Sequence, residues 1–259
     1  VKLSQNTILI TGGTSGIGYN LAAQLLALGN SVIVTGRDPT KLDLTKKKLP
    51  QVNTYQSDVS DPEAIKNLFQ TIQSQFPSLN ILINNAGVMK KLNLHQKNHD
   101  LVDLTKEIEI NLMGPIRMTQ TFLPHLKLQP QAAIVNVSSG LAFLPLPIAP
   151  IYSATKAALH SYTLSLRAQL KNTSVKVFEL APPGTDTPLF VNETFTKEDS
   201  GGIKPMNVAT LAAHAIQGLA KDQLEICPGI ANNLKWMSRA APQLGMHFMS
   251  KSAEKLPTF

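Results

Sequence analysis

Short β-branched runs separated by helix-length amphipathic intervals leave this 259-residue chain few ways to fold. The runs are TILIT (7–11), SVIVTG (31–36), NTYQSD (53–58), LNILINNAG (79–87), AAIVNVSS (132–139), VKVFELAP (175–182) and the weaker LEICPG (224–229). Intervals at about 17–28, 62–75, 100–127, 152–170 and 207–220 can each hold a helix. Regular alternation of this kind builds a parallel sheet with crossover helices. Strands buried on both faces read as nearly continuous apolar runs, as ILINNAG and AIVNVSS begin to do. The expected fold is α/β: a doubly wound parallel sheet of about seven strands, helices on both faces, in one domain over 1–259.

The first strand runs into TGGTSGIG (11–18), four glycines and three hydroxyl residues in eight positions. A helix starting near Ile17 would gather free N–H groups and the positive end of its dipole at this turn. Bare backbone there admits an anion, and the expected ligand is the pyrophosphate of a dinucleotide held by Thr11, Gly12, Thr14, Ser15, Gly16, Ile17 and Gly18. This makes the sheet Rossmann-type. The second strand ends in VTGRDP, where a ribose 2′-hydroxyl reader would normally be acidic. Arg37 stands there instead and suits a 2′-phosphate, so NADP(H) is favoured over NAD(H). Asp38 dissents, either by reaching the ribose after a small register shift or by capping the loop before Pro39. Asp58, with Val59, ends the third strand near an adenine edge; the alternative for this neighbourhood is a helix-cap role near Ser60 or Asp61. Asn84, Asn85, Ala86 and Gly87 end the fourth, and all four strand ends converge on one crevice.

YSATK (152–156) places Tyr152 and Lys156 one helical turn apart on one face. An ammonium beside a phenol lowers its pKa and makes the pair a general acid–base. Ser139, just beyond the fifth strand, can hold a substrate oxygen beside the phenol; Ser138 is the competing hydroxyl and reads as structural. Asn111 sits mid-helix, where asparagine is unfavourable. It is either an exposed or capped residue or the centre of a local break holding a water that links Lys156 to solvent.

Together, T-G-x-x-x-G-x-G (Thr11 to Gly18), N-N-A-G (Asn84 to Gly87) and the ordered set Asn111, Ser139, Tyr152, Lys156 resemble the short-chain dehydrogenase/reductase family over roughly residues 5–225. The resemblance implies that Tyr152 protonates a carbonyl oxygen or deprotonates an alcohol while Ser139 positions that oxygen. It implies that Lys156 lowers the tyrosine pKa and holds the nicotinamide ribose, and that Asn111 completes a proton relay. Pro182, Thr185 and Thr187 would face the nicotinamide, although Pro183 replaces the family's usual glycine. A homodimer or homotetramer is likewise implied. ELAPP (179–183), DTPL (186–189), EICPG (225–229) and LKWMSRAAP (234–242) further resemble the DltE-type bacterial oxidoreductases.

Composition removes other classes. The +7 charge is spread along the chain, with no basic run longer than Lys46–Lys48, which reads as a solvated helix face and not a nucleic-acid surface. One cysteine, Cys227, excludes an internal disulfide and gives no metal spacing. No apolar run approaches a membrane span and no signal-peptide pattern opens the chain, so the expected location is cytoplasmic. Residues 188–205, polar and aperiodic, are expected to form a substrate lid. The extension 230–259 mixes Trp236, Met246, Phe248 and Met249 with Lys235, Arg239, His247 and Lys251. Covering the protein's own core or a subunit interface is its expected role, with peripheral membrane contact the alternative. The favoured function is an NADP-dependent oxidoreductase acting on a small ketone, aldehyde or secondary alcohol. An NAD-dependent enzyme, a non-catalytic NADPH sensor and a sugar-nucleotide epimerase or dehydratase are the alternatives; the last would want a longer C-terminal domain.

Overall fold

The computed structural model describes residues 2–96, 99–189, 204–252 and 254. Strands β1 (Thr7–Thr11), β2 (Ser31–Gly36), β3 (Asn53–Gln56), β4 (Leu79–Asn84), β5 (Ala132–Val137), β6 (Val175–Leu180) and β7 (Glu225–Ile226) form one sheet. Their order is β3-β2-β1-β4-β5-β6-β7, with every pair parallel. The order reverses between β1 and β4, where their carboxyl ends splay into a crevice.

Alternation along β1 shows how both faces are filled. Ile8 and Ile10 pack with Leu21, Ala22 and Leu25 of α1 (Gly16–Ala27) and with Leu211 and Ala215 of α7 (Val208–Ala220). Leu9 points the other way, into a cluster with Ile65 and Ile72 of α3 (Pro62–Gln75), Phe122 of α5 (Gly114–Lys127) and Leu166 of α6 (Pro150–Gln169). Side chains on opposite pleats thus serve opposite helical layers.

Three features depart from the expected elements. Strands 3 to 7 are shorter than their apolar runs, because residues such as Asn85–Gly87 and Ser138–Ser139 leave the sheet to line the crevice. Residues 39–48 form α2 (Pro39–Lys48), with Asp38 as its N-cap and Lys46, Lys47 and Lys48 in its last turn. The 100–127 interval is not one helix: α4 (Leu101–Ile108) passes through a π-helical turn at Glu109–Met113 into α5. The extension folds into α8 (Ile230–Ala240) and α9 (Pro242–Ser250). Most of the expected lid, residues 190–203, lies outside the described residues.

At the β1–α1 turn Gly12 has φ +65°, and a Cβ there would lie 2.8 Å from Ala86 Cα. Gly18 faces inward: a Cβ would stand 2.5 Å from both Gly12 O and Asn85 Nδ2. Gly18→Ala is therefore expected to destabilise the fold by about 1–3 kcal/mol. In urea unfolding this reads as a lower midpoint with an unchanged slope; an unchanged midpoint would contradict the close packing.

Candidate active site

A cavity of about 740 Å³ occupies the crevice. Its floor is the glycine turn, with Gly12, Thr14, Ser15, Gly16 and Ile17 on the surface. Ser15 is the N-cap of α1 but makes no side-chain cap bond, so the first-turn amides keep their capacity for an anion. Thr35 Oγ1 is buried without a hydrogen-bond partner among the described residues and borders the same cavity. Uncapped amides and an orphaned hydroxyl fit a phosphate-bearing dinucleotide.

Thr11 and Gly18 are not on the cavity surface, contrary to expectation. Thr11 is 1% exposed, and its hydroxyl accepts from Asn85 N (3.0 Å) and Ala86 N (3.1 Å). Asn85 Nδ2 donates in return to Thr11 O (2.9 Å) and Gly12 O (3.0 Å). Both residues build the turn itself.

At the far end Arg37 and Lys41 line the cavity. Asp38 also borders it, but its carboxylate accepts from Lys41 N at 3.2 Å and caps α2. Asp58 Oδ1 accepts from Ser60 N (2.9 Å) and Ser60 Oγ (2.7 Å) and so closes the turn before α3; the cap of that helix is Asp61, whose Oδ1 accepts from Glu63 N at 2.9 Å, and Asp58 lines the cavity with Val59.

Tyr152, Lys156 and Ser139 converge on the opposite wall. Tyr152 is 6% and Lys156 3% exposed. Burial pushes the Tyr152 phenol up to about 12; a hydrogen bond from Ser139 opposes this and the Glu107 carboxylate adds to it. Burial also brings the Lys156 amine down to about 8. The expected lowering of the tyrosine by Lys156 is therefore not found. Lys156 Nζ lies 5.6 Å from the Tyr152 ring centroid and donates to Val137 O at 2.8 Å, so desolvation outweighs attraction.

Asn111 is fully buried behind this wall, at the centre of the π-helical turn, which replaces the exposed or capped reading with a local break. Its Oδ1 accepts from Val88 N and its Nδ2 donates to Val88 O, both at 2.8 Å, and also to Thr155 Oγ1 at 3.2 Å. It braces the loop carrying Gly87 and Val88 and is not on the cavity surface. Ser138, as expected, is structural: its hydroxyl donates to Glu179 Oε1 at 2.5 Å, and Glu179 Oε2 meets His160 Nδ1 at 2.7 Å. Pro182 lies on the cavity surface with its carbonyl accepting from Gly140 N at 2.7 Å. Thr185 and Thr187 line it too, and Thr185 Oγ1 donates to Pro183 O at 2.8 Å.

Residues 6–198 match the family model described as short chain dehydrogenase. The chain belongs to the short chain dehydrogenase family of oxidoreductases. It is 41% identical over 240 residues to the uncharacterized oxidoreductase DltE of Bacillus subtilis (strain 168), covering 93% of this chain and 94% of that one. A short chain dehydrogenase from Burkholderia cenocepacia J2315, solved in complex with NADP, superposes with a TM-score of 0.82 at 25% identity, covering 96% of this chain and 99% of that one. One from Burkholderia phymatum, in complex with NAD, shares the fold with a TM-score of 0.81 at 22% identity, over 100% and 98% of the two chains.

Within this short chain dehydrogenase, several cavity residues have no motif that marks them. Lys41 is one; it enters from the first turn of α2, whose N-cap is Asp38. Leu141 and Leu146 beside Tyr152, and Leu234, Met249 and Lys251 of the extension, reach the cavity through packing remote in sequence. Glu107, buried and raised to about 7 by desolvation, accepts from Lys90 N at 3.0 Å and precedes Asn111 by four residues. Cys227 is chemically quiet: burial and the Glu225 carboxylate push its thiol up to about 12. His160, Glu179 and Glu225 gather within 4.8 Å, but Lys235 already pairs Glu225 at 2.5 Å.

A buried ammonium opposes folding, so Lys156→Met is expected to stabilise the cofactor-free protein at pH 7 by about 1–3 kcal/mol. Lys156 carries its proton less readily folded (about 8) than unfolded (10.5), so the parent gains stability as pH rises through that window. The variant's advantage should fade accordingly in urea unfolding from pH 7 to 10.5. A less stable variant at pH 7 would mean that the bond to Val137 outweighs desolvation.

Proposed function

We propose that the protein is an NADP-dependent carbonyl reductase, in which Tyr152 acts as the general acid and Ser139 holds the substrate oxygen. The observation that carries this reading is the convergence of Tyr152, Ser139 and Lys156 on a cavity whose other end is the uncapped N-terminus of α1. A bound nicotinamide dinucleotide would supply the hydride. Gly12, Thr14, Ser15, Gly16 and Ile17 would hold its phosphates, Asn85, Ala86 and Gly87 its adenosine-side backbone contacts, and Pro182, Thr185 and Thr187 its nicotinamide end. Asp58 and Val59 would flank the adenine. Lys156 would hold the ribose near Tyr152.

Burial sets the proton on Tyr152 at neutral pH. A phenol held up to about 12 stays protonated at neutral pH, and an alkoxide, about as basic as hydroxide, takes its proton downhill. Alcohol oxidation would need the phenolate, which the same burial disfavours. Asn111 contributes by fixing Val88 and Thr155 around Lys156.

Preference for NADP follows from Arg37 and Lys41, two cations on the cavity surface at the end of β2. An NAD-preferring enzyme would present a carboxylate to the ribose, whereas the Asp38 carboxylate is engaged with Lys41 N. Solved relatives carry NADP or NAD, so the preference rests on Arg37 and Lys41.

Purified protein is expected to oxidise NADPH in the presence of ketones or aldehydes. Tyr152→Phe should lower the rate about a thousandfold while NADPH binding, followed by fluorescence, holds. Arg37→Asp should move the NADPH-to-NADH ratio of kcat/KM at least about tenfold toward NADH. Alcohol oxidation should climb with pH more steeply than carbonyl reduction. Normal turnover by Tyr152→Phe, or an unchanged nucleotide ratio, would overturn the corresponding assignment.

A further inference from the structure

The substrate half of the cavity has a chemical gradient along it. Next to Tyr152 stand Met89, Ile148 and Ala149, with Leu141 and Leu146 packed against them. Leu141 and Leu146 also pack against Leu144, Leu234 and Met249. One apolar wall therefore runs without interruption from the phenol to α8 and α9. The helices reach that close because the turn after Ser139 is small: a Cβ on Gly140 would lie 3.2 Å from Leu234 Cδ1 and 3.3 Å from Ala231 Cβ. Gly245 of α9 does the same for Leu144, whose Cδ atoms would stand 3.0 Å from a Cβ there.

Beyond Met249 the character changes. Lys251, exposed, and Ser252 are the next residues on the cavity surface. Lys251 has no ion-pair or hydrogen-bond partner among the described residues, whereas Lys235 of α8 is committed to Glu225. The other cations on the cavity surface are accounted for: Arg37 and Lys41 stand at the end of β2, and Lys156 lies beside the phenol.

We infer that the substrate is an amphiphilic carbonyl compound, an apolar chain ending in an anionic group that Lys251 receives. The inference rests on the carbonyl-reductase reading and gives that site its substrate class. The carbonyl sits at Ser139 and Tyr152, the chain lies along Leu141, Leu146, Leu234 and Met249, and the anion emerges at the end of α9. Neutral apolar ketones fill the same wall and leave the ammonium unused. Cationic chain ends meet it as like charge.

The test uses ω-substituted methyl ketones of graded length, from 5-oxohexanoate through 8-oxononanoate to 11-oxododecanoate. Each is compared with the neutral ketone of equal chain length and with its trimethylammonium and phosphonate counterparts. The full-length protein is expected to prefer the anionic member of one chain length in kcat/KM by about threefold to fivefold, with the advantage shrinking at high salt. Lys251→Ala should erase the preference and Lys251→Glu invert it, with turnover of the neutral ketone unchanged in both. Preference for carboxylate or for phosphonate supports the inference equally and names the end group. Calorimetric binding of the same ketones to NADPH-loaded Tyr152→Phe separates the two readings. Anion selectivity there, lost in the Lys251 variants, upholds the anion subsite even where no ketone turns over. Equal affinity for anionic, neutral and cationic chains, or a preference that survives Lys251→Glu, overturns it.

Discussion

The site depends on one reciprocal lock between β1 and β4. Thr11 accepts both Asn85 N and Ala86 N on its hydroxyl, while the Asn85 amide donates back to Thr11 O and Gly12 O. These bonds satisfy the terminal groups of β1 internally, where buried backbone would otherwise go unpaired. They also hold the two strand ends at the separation from which the crevice opens. With the carbonyls of the turn occupied, the amides of α1 are the groups left facing the cavity. Gly18 tightens the lock from behind, packed against the same carbonyl and amide.

The opposite wall shows the strain between stability and chemistry. Lys156 and Tyr152 are both buried, and each is displaced toward its neutral form. Neither displacement helps the empty protein fold at neutral pH, and for Lys156 burial opposes it. Asn111, Thr155 and Val137 O nonetheless hold the region in one arrangement. Such groups are retained at the expense of stability where a proton must be held at a defined place. Behind Ser139, the buried Glu179 takes Ser138 and His160, and Lys235 ties α8 to β7 through Glu225. This edge of the sheet and α8 are thereby held to each other.

Much of this was legible from local pattern. Parallel strands announce themselves by apolar runs, but the order β3-β2-β1-β4-β5-β6-β7 is one of several that right-handed crossovers allow, and the runs alone do not select it. Tyr152 and Lys156 are neighbours because they are four apart on a helix. Other features depend on packing that spacing does not encode. The rise of the tyrosine pKa comes from enclosure by Ile148 and Ala149, one turn earlier in the chain, and by Met89, which only the fold brings there. The break around Asn111 is hinted at by an asparagine in mid-helix, but its π-helical form depends on Val88, 23 residues upstream in the chain. Asp38 was ambiguous between ribose and cap; one of its oxygens caps α2 through Lys41 N, three residues on, while the residue still borders the cavity. The contribution of Leu234, Met249 and Lys251 to the cavity arises where two short helices fold back over Gly140, a contact with no local periodicity to betray it.

The most direct test of the account is transfer of label from NADPH deuterated at the reacting carbon of its nicotinamide, followed by mass spectrometry of the alcohol formed from a reduced ketone. One deuterium is expected on the carbinol carbon, with none on that carbon when the label is carried by solvent. Solvent deuterium on the carbinol carbon, or a product formed without label from NADPH, would contradict hydride transfer in this crevice.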